Sequence, residues 1–219
     1  MAEVLQQLPR ALWMLIIFLL GFLCLAGLLA LAELKKREQP PPIYGEIADF
    51  TLTNENGHAT SLVDLTNHVW VTDIIFTRCA GPCPRMTEQM KSIQDSLPQD
   101  SSTRLVTLTT DPDYDSPEIL KRYGQHFGAD FDRWMFLTGT KNEIAGLAAN
   151  SLKLGSTPIA PADQKDAADL FIHTTIFVVV DKHARLRGPV FQTGGDDVDW
   201  TNTIRPNLLT TIHRLEREP

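Results

Sequence analysis

Two cysteines, Cys79 and Cys83, stand four positions apart in the stretch Cys79-Ala80-Gly81-Pro82-Cys83-Pro84. Thiols this close can be oxidised, exchanged with another disulfide, or used to grip a soft metal. A plain stabilising disulfide is the weaker alternative, because so short a loop restrains little of the unfolded chain. The pair lies between an apolar run, Val69 to Phe76, and a segment of helical character from Pro84 to Leu97. A helix starting near Cys83 puts positive partial charge beside the thiols and favours thiolate, the form that attacks disulfides and binds metal.

A metal site needs a further ligand. Of the six histidines, His58 and His68 fall in turns, His126 on a helix, His183 in a hairpin turn and His213 in the last helix, and each reads as an ordinary solvated or capping imidazole. His173 differs, because it stands where a polar insertion, Lys153 to Asp169, gives way to the strand-like run Thr174 to Val180. Two thiolates select Cu(I), and an imidazole nitrogen extends such a site to Cu(II). Zinc would call for a fourth ligand, and the only other cysteine, Cys24, lies in an apolar run far upstream.

The net charge of −7 argues against a nucleic-acid footprint or a basic membrane-binding surface. No phosphate-cradling loop is present, since Gly194-Gly195 is followed by Asp196 and Asp197 rather than Lys. Ala11 to Ala32 contains no charge, and about 20 apolar residues suffice to cross a bilayer as a helix. The run is longer than the core of a cleaved signal peptide and reads as an uncleaved anchor. Lys35, Lys36 and Arg37 follow it, so the positive-inside rule alone puts the C-terminal part in the cytoplasm. Gln39 to Pro42 is a short stiff spacer. The organisation is therefore a tail (1–10), an anchor (11–32), a charged and proline-rich linker (33–42) and one domain (43–219).

Within that domain, Asp49–Thr53 and Thr60–Leu65 flank an Asn-Gly turn and predict a hairpin. Val69–Phe76, Arg104–Leu108 and Trp134–Leu137 read as strands, each followed by a helix. Met86, Met90, Ile93 and Leu97 make one apolar stripe, Ser116-Pro117 starts a second helix, and Thr140 to Glu143 forms a capping box. Thr174–Val180 and Ala184–Arg187 predict a closing hairpin, and Trp200, Ile204, Leu208 and Ile212 a last helix that Pro206 kinks or splits. Strands alternating with helices predict an α/β fold with a mostly parallel sheet. A cysteine pair after the first central strand resembles the thioredoxin-like fold, in which the loop holding His173 faces the pair. Exchangers of that kind use C-x-x-C. The extra residue here lets both sulfurs converge more easily on one ion.

Phe76-Thr77-Arg78-Cys79-Ala80-Gly81-Pro82-Cys83-Pro84-Arg85-Met86 resembles the F-T-x-C-x-x-x-C-P-x-M segment of the Sco/SenC family of membrane-anchored, thioredoxin-like copper proteins. Thr109 to Pro117 is similar to that family's S-x-D-P-x-x-D-T-P stretch, and His173-Thr174 to its D-H-T/S segment. The resemblance spans about Ile43 to Leu215. It implies copper, Cu(I) or Cu(II), one per chain, held by Cys79, Cys83 and His173, with Asp111 and Asp115 orienting the site. It implies a metallochaperone for the CuA centre in subunit II of cytochrome c oxidase, working beside other periplasmic copper chaperones and thiol reductants. It also reverses the charge-based orientation, placing the domain in the bacterial periplasm. The family often has Asp before the histidine, where this chain has Ile172, and Ala80-Gly81-Pro82 departs from the commoner interior. The alternative is a periplasmic thiol-disulfide oxidoreductase that keeps copper-accepting cysteines reduced.

Overall fold

The computed structural model describes residues 10–38, 40–154, 175–195 and 198–219, which fall into two compact units divided between Pro40 and Pro41. The first is one helix, α1 (Arg10–Glu38). Its segment Leu12–Leu29 is long and apolar enough to cross a membrane. The helix runs on through Glu33–Glu38, residues of good helix propensity that the sequence assigned to a linker. Cys24 is exposed on it.

The second unit is an eight-stranded sheet with helices on both faces. Its strands are β1 (Ile43–Glu46), β2 (Thr51–Asn54), β3 (Ala59–Ser61), β4 (Trp70–Ile75), β5 (Arg104–Thr109), β6 (Trp134–Thr138), β7 (Ile176–Val180) and β8 (Arg185–Gln192). Their order is β1-β8-β7-β4-β5-β6-β2-β3. The helices are α2 (Leu62–Leu65), α3 (Pro82–Ser96), α4 (Pro117–His126), α5 (Lys141–Gly146) and α6 (Arg205–Arg217).

Strand β4 is buried along its whole length because both of its faces are covered. Val71 and Ile75 point into one apolar layer with Met86, Met90 and Ile93 of α3, Leu120 of α4, and Leu208 and Ile212 of α6. Trp70 and Ile74 point into the other, with Leu62 and Leu65 of α2 and Ile144 of α5. The apolar stripe read on α3 is thus the stripe that meets the sheet. Ser116 caps α4, accepting from the Ile119 N–H, and Thr140 with Glu143 forms the capping box of α5.

Four details differ from the sequence reading. The sheet is mixed, with only β4–β5 and β5–β6 parallel, because hairpin strands extend both of its sides. The return arm at Thr60–Leu65 is strand only to Ser61. The Asp64 carboxylate accepts from the Ser61 N–H at 2.7 Å, and Leu62–Leu65 turns into α2, burying Leu62 and Leu65. Strand β1, which pairs antiparallel with β8, gave no alternating signal. Helix α3 begins at Pro82 rather than Pro84, with Gly81 as its N-cap. The last helix is split as expected: Trp200–Ile204 is a wider turn, and α6 starts afresh with Pro206 in its first turn.

Candidate metal centre

The cysteine loop runs from the end of β4 into the first turn of α3. Cys79 donates its N–H to the Phe76 carbonyl at 3.2 Å, and the Gly81 N–H approaches the Cys79 sulfur at 3.4 Å. Cys83 is the second residue of α3. Both are free thiols and both are buried, at 8% and 3% exposure. The Cys79 side chain lies close enough to Cys83 to influence its thiol.

The thiolate expected from the helix end does not hold at Cys83. Burial pushes its thiol well above the usual range, the contact with Cys79 adds to the rise, and the Phe76 backbone N–H only partly offsets them. Just below it, Thr87 donates to the Cys83 carbonyl at 3.0 Å and shares a 2.8 Å hydrogen bond with the Tyr123 hydroxyl. Burial also raises the Tyr123 phenol.

Asp115 and Asp111 hold the loop from the side. Asp115 is fully buried, accepting from the Thr77 N–H at 3.1 Å and from the hydroxyls of Thr77 and Thr109. Asp111 pairs with Arg78 at 2.5 Å, and that guanidinium lies 4.0 Å over the Tyr114 ring. The Thr109-to-Ser116 turn therefore fixes the two residues that precede Cys79. Ser116, not Asp115, does the capping.

A groove of about 500 Å³ opens beside the cysteines, between Gly81, Pro82 and Met86 on one side and Thr175 and Thr193 to Gly195 on the other. His173 lies outside the described residues, as does most of the polar insertion; Thr175, two positions on, is on the groove wall. Among the described residues no group of three or more His, Cys, Asp or Glu is placed to hold a metal ion. His68, for one, sits apart with its Nδ1 2.7 Å from the Ser102 carbonyl. The donors present, two mutually contacting thiols, suit a soft cation and leave a hard one unserved. Thr77 stood in the F-T-x-C segment with no role assigned to it, and the sequence reading missed Thr87 and Tyr123, neutral polar residues with no spacing signal. It also missed Asp73, which was legible as a carboxylate inside an apolar strand.

The SCO1/SenC family model matches residues 39–205. The SCO1 protein homolog of Bacillus subtilis is 34% identical over 141 residues, which cover 64% of this chain and 70% of that protein. BsSco, a member of the Sco family of cytochrome c oxidase assembly proteins in which a disulfide switch has been identified, superposes with a TM-score of 0.66 at 27% identity. The match covers 83% of this chain and all of that one. Copper-bound ScoI of Bradyrhizobium japonicum shares the fold at a TM-score of 0.59 and 19% identity, over 77% of this chain and 98% of that one. The fold is the thioredoxin-like one of those structures.

Proposed function

The chain belongs to the SCO1/SenC family, and from that premise we propose that it is a copper metallochaperone anchored in the bacterial inner membrane by α1. Its cargo is copper. Cys79 and Cys83 hold Cu(I), and His173 completes a site for Cu(II). The acceptor is the CuA centre in subunit II of a cytochrome c oxidase, and the domain stands in the periplasm. The domain division at residues 10, 32 and 42 belongs to the same proposal.

The observation that carries this reading is the pair of free thiols in mutual contact at the first turn of α3, in a loop pinned by Asp111 and Asp115. The chain returns to the same groove at Thr175, two residues after His173. Copper bound to a relative of the same fold supports the choice of ion. The test is copper binding by the reduced full-length chain in detergent, expected at one ion per chain and abolished by Cys79→Ser or Cys83→Ser. His173→Ala should weaken Cu(II) far more than Cu(I). Equal losses, or none, would remove His173 from the site. A reporter fused after Pro219 checks the orientation, with activity confined to the cytoplasm as the contrary result.

The contact between the two sulfurs also favours a second reading, disulfide exchange with a partner's cysteines. That activity needs no His173, so a dithiol exchange assay on His173→Ala separates the two.

A further inference from the structure

Both thiols of the pair are closed off, so a cation must come to them through the residues around them. The groove beside them is the approach. Gly81 is on its wall, and the Gly81 N–H lies 3.4 Å from the Cys79 sulfur. A Cβ at Gly81 would stand 3.8 Å from the same sulfur, so Cys79 lies directly behind that wall. Met86 is also on the wall. Among the described residues it is the one lining residue of the groove that also belongs to the apolar layer holding Cys79 and Cys83.

Met86 follows Cys83 by three positions on α3. Residues so spaced share one helix face, with Cβ atoms about 5–6 Å apart. Long helical side chains lean back toward the N-terminus, so Met86 covers the turn that carries Cys83. Its unbranched thioether, with three rotatable bonds, spans that separation. Met90, the next residue of the stripe, has no exposed surface and does not reach the groove wall. Apolar volume alone would be served by Leu at either position; at 86 the sulfur stands where the groove meets the thiols.

The pair is short of donors. Among the described residues no third His, Cys, Asp or Glu accompanies it. Arg85 on the groove wall has only N–H groups to offer, and the hydroxyls of Thr175 and Thr193 are hard. Met86 is the soft group that remains. We propose that its thioether is a third sulfur ligand for Cu(I), beside the thiolates of Cys79 and Cys83. The proposal deepens the copper reading and rests on it. The thioether gives a lone pair to the cation and has no proton to lose, so binding through it changes neither oxidation state nor proton count. Thioethers select Cu(I), whereas an imidazole extends a site to Cu(II). Met86 therefore biases the centre toward the reduced ion.

The experiment labels the full-length chain with selenomethionine, loads it reduced and in detergent with Cu(I), and records the X-ray absorption fine structure of the copper. A copper–selenium shell beside the copper–sulfur one is expected in the wild type, a readout that needs no variant. The shell should vanish in Met86→Leu, a volume-conserving swap, and stay in Met90→Leu. In unlabelled protein, Met86→Leu should weaken Cu(I) by at least the roughly tenfold that losing an outer orienting group costs, with Cu(II) affinity unchanged. A wild-type spectrum with sulfur and no selenium, a shell that survives in Met86→Leu, or an unchanged Cu(I) affinity would overturn the proposal and leave the copper reading standing. No uptake of Cu(I) by the wild type would remove the copper reading, and this ligand with it.

Discussion

Replacing Asp115 by Ala removes the acceptor that three groups share: the Thr77 N–H, the Thr77 hydroxyl and the Thr109 hydroxyl. A hydrogen bond to an ionised acceptor contributes about 1.5–3 kcal/mol net. The three do not add in full, because one carboxylate makes them all and its own burial cost disappears with it. A loss of about 3–5 kcal/mol follows, less than the full sum of the three bonds. Against a total stability of about 5–15 kcal/mol, and a urea slope of about 2 kcal/mol per molar, the unfolding midpoint should fall by roughly 2 M. Thr77→Val removes one of the hydroxyl bonds and should cost about 1.5–3 kcal/mol.

The damage should also reach copper. Thr77 is two residues before Cys79, and outer groups that orient ligands commonly tune affinity by about 10–100-fold. Competition for Cu(I) against a chelator, run on Asp115→Ala at a urea-free temperature well below its melting point, measures this. A variant that lost stability but bound copper as tightly as wild type would show that the network holds the turn and not the site. An unfolding free energy within about 0.5 kcal/mol of wild type would refute the energetic reasoning itself.

Arg187→Ala should cost about 3–5 kcal/mol, because this buried guanidinium pairs with Asp181 and Glu218 and donates twice to the Pro41 carbonyl; urea unfolding should report it with copper affinity unchanged. Gly124→Ala should lower the melting temperature despite better helix propensity, since a Cβ there meets Phe136 at 2.8 Å and Phe131 at 2.9 Å, an overpacking cost of about 1–3 kcal/mol. Asp73 gives stability a pH slope of known sign. Burial raises its acid from 3.8 to about 7, so the folded state holds the proton more tightly, and the contribution is full below about pH 4 and lost as pH rises through about 7. The unfolding free energy of wild type, from urea titrations, should fall over that window relative to Asp73→Asn by up to ~4 kcal/mol; parallel pH profiles would refute it.

What the sequence made legible was whatever local chemistry decides. The α3 stripe of Met86, Met90, Ile93 and Leu97, the Ser116 and Thr140 caps, and the break at Pro206 each depend on residues within a turn or two. Sheet topology does not work that way. Pairing of β1 with β8 joins residues more than 130 positions apart, and nothing in Ile43-Tyr44-Gly45-Glu46 announces it. The same holds for Asp115. Its neighbours Ser116 and Pro117 suggested capping, but its partners Thr77 and Thr109 come from two other segments brought together by the parallel β4–β5 pair.

The error at Cys83 has a quantitative cause. Position alone supplied one effect, the helix N-terminus, worth about 0.3–1 kcal/mol and at most about 2. Burial was the effect the sequence could not weigh, because Cys83 is closed off by side chains from β4, α4 and its own helix. Desolvation of a fully buried ionisable group shifts its acidity by up to about 3–5 units, several times more energy than the helix end provides. At 3% exposure the second effect wins, and the thiol keeps its proton until something enters the layer to replace it.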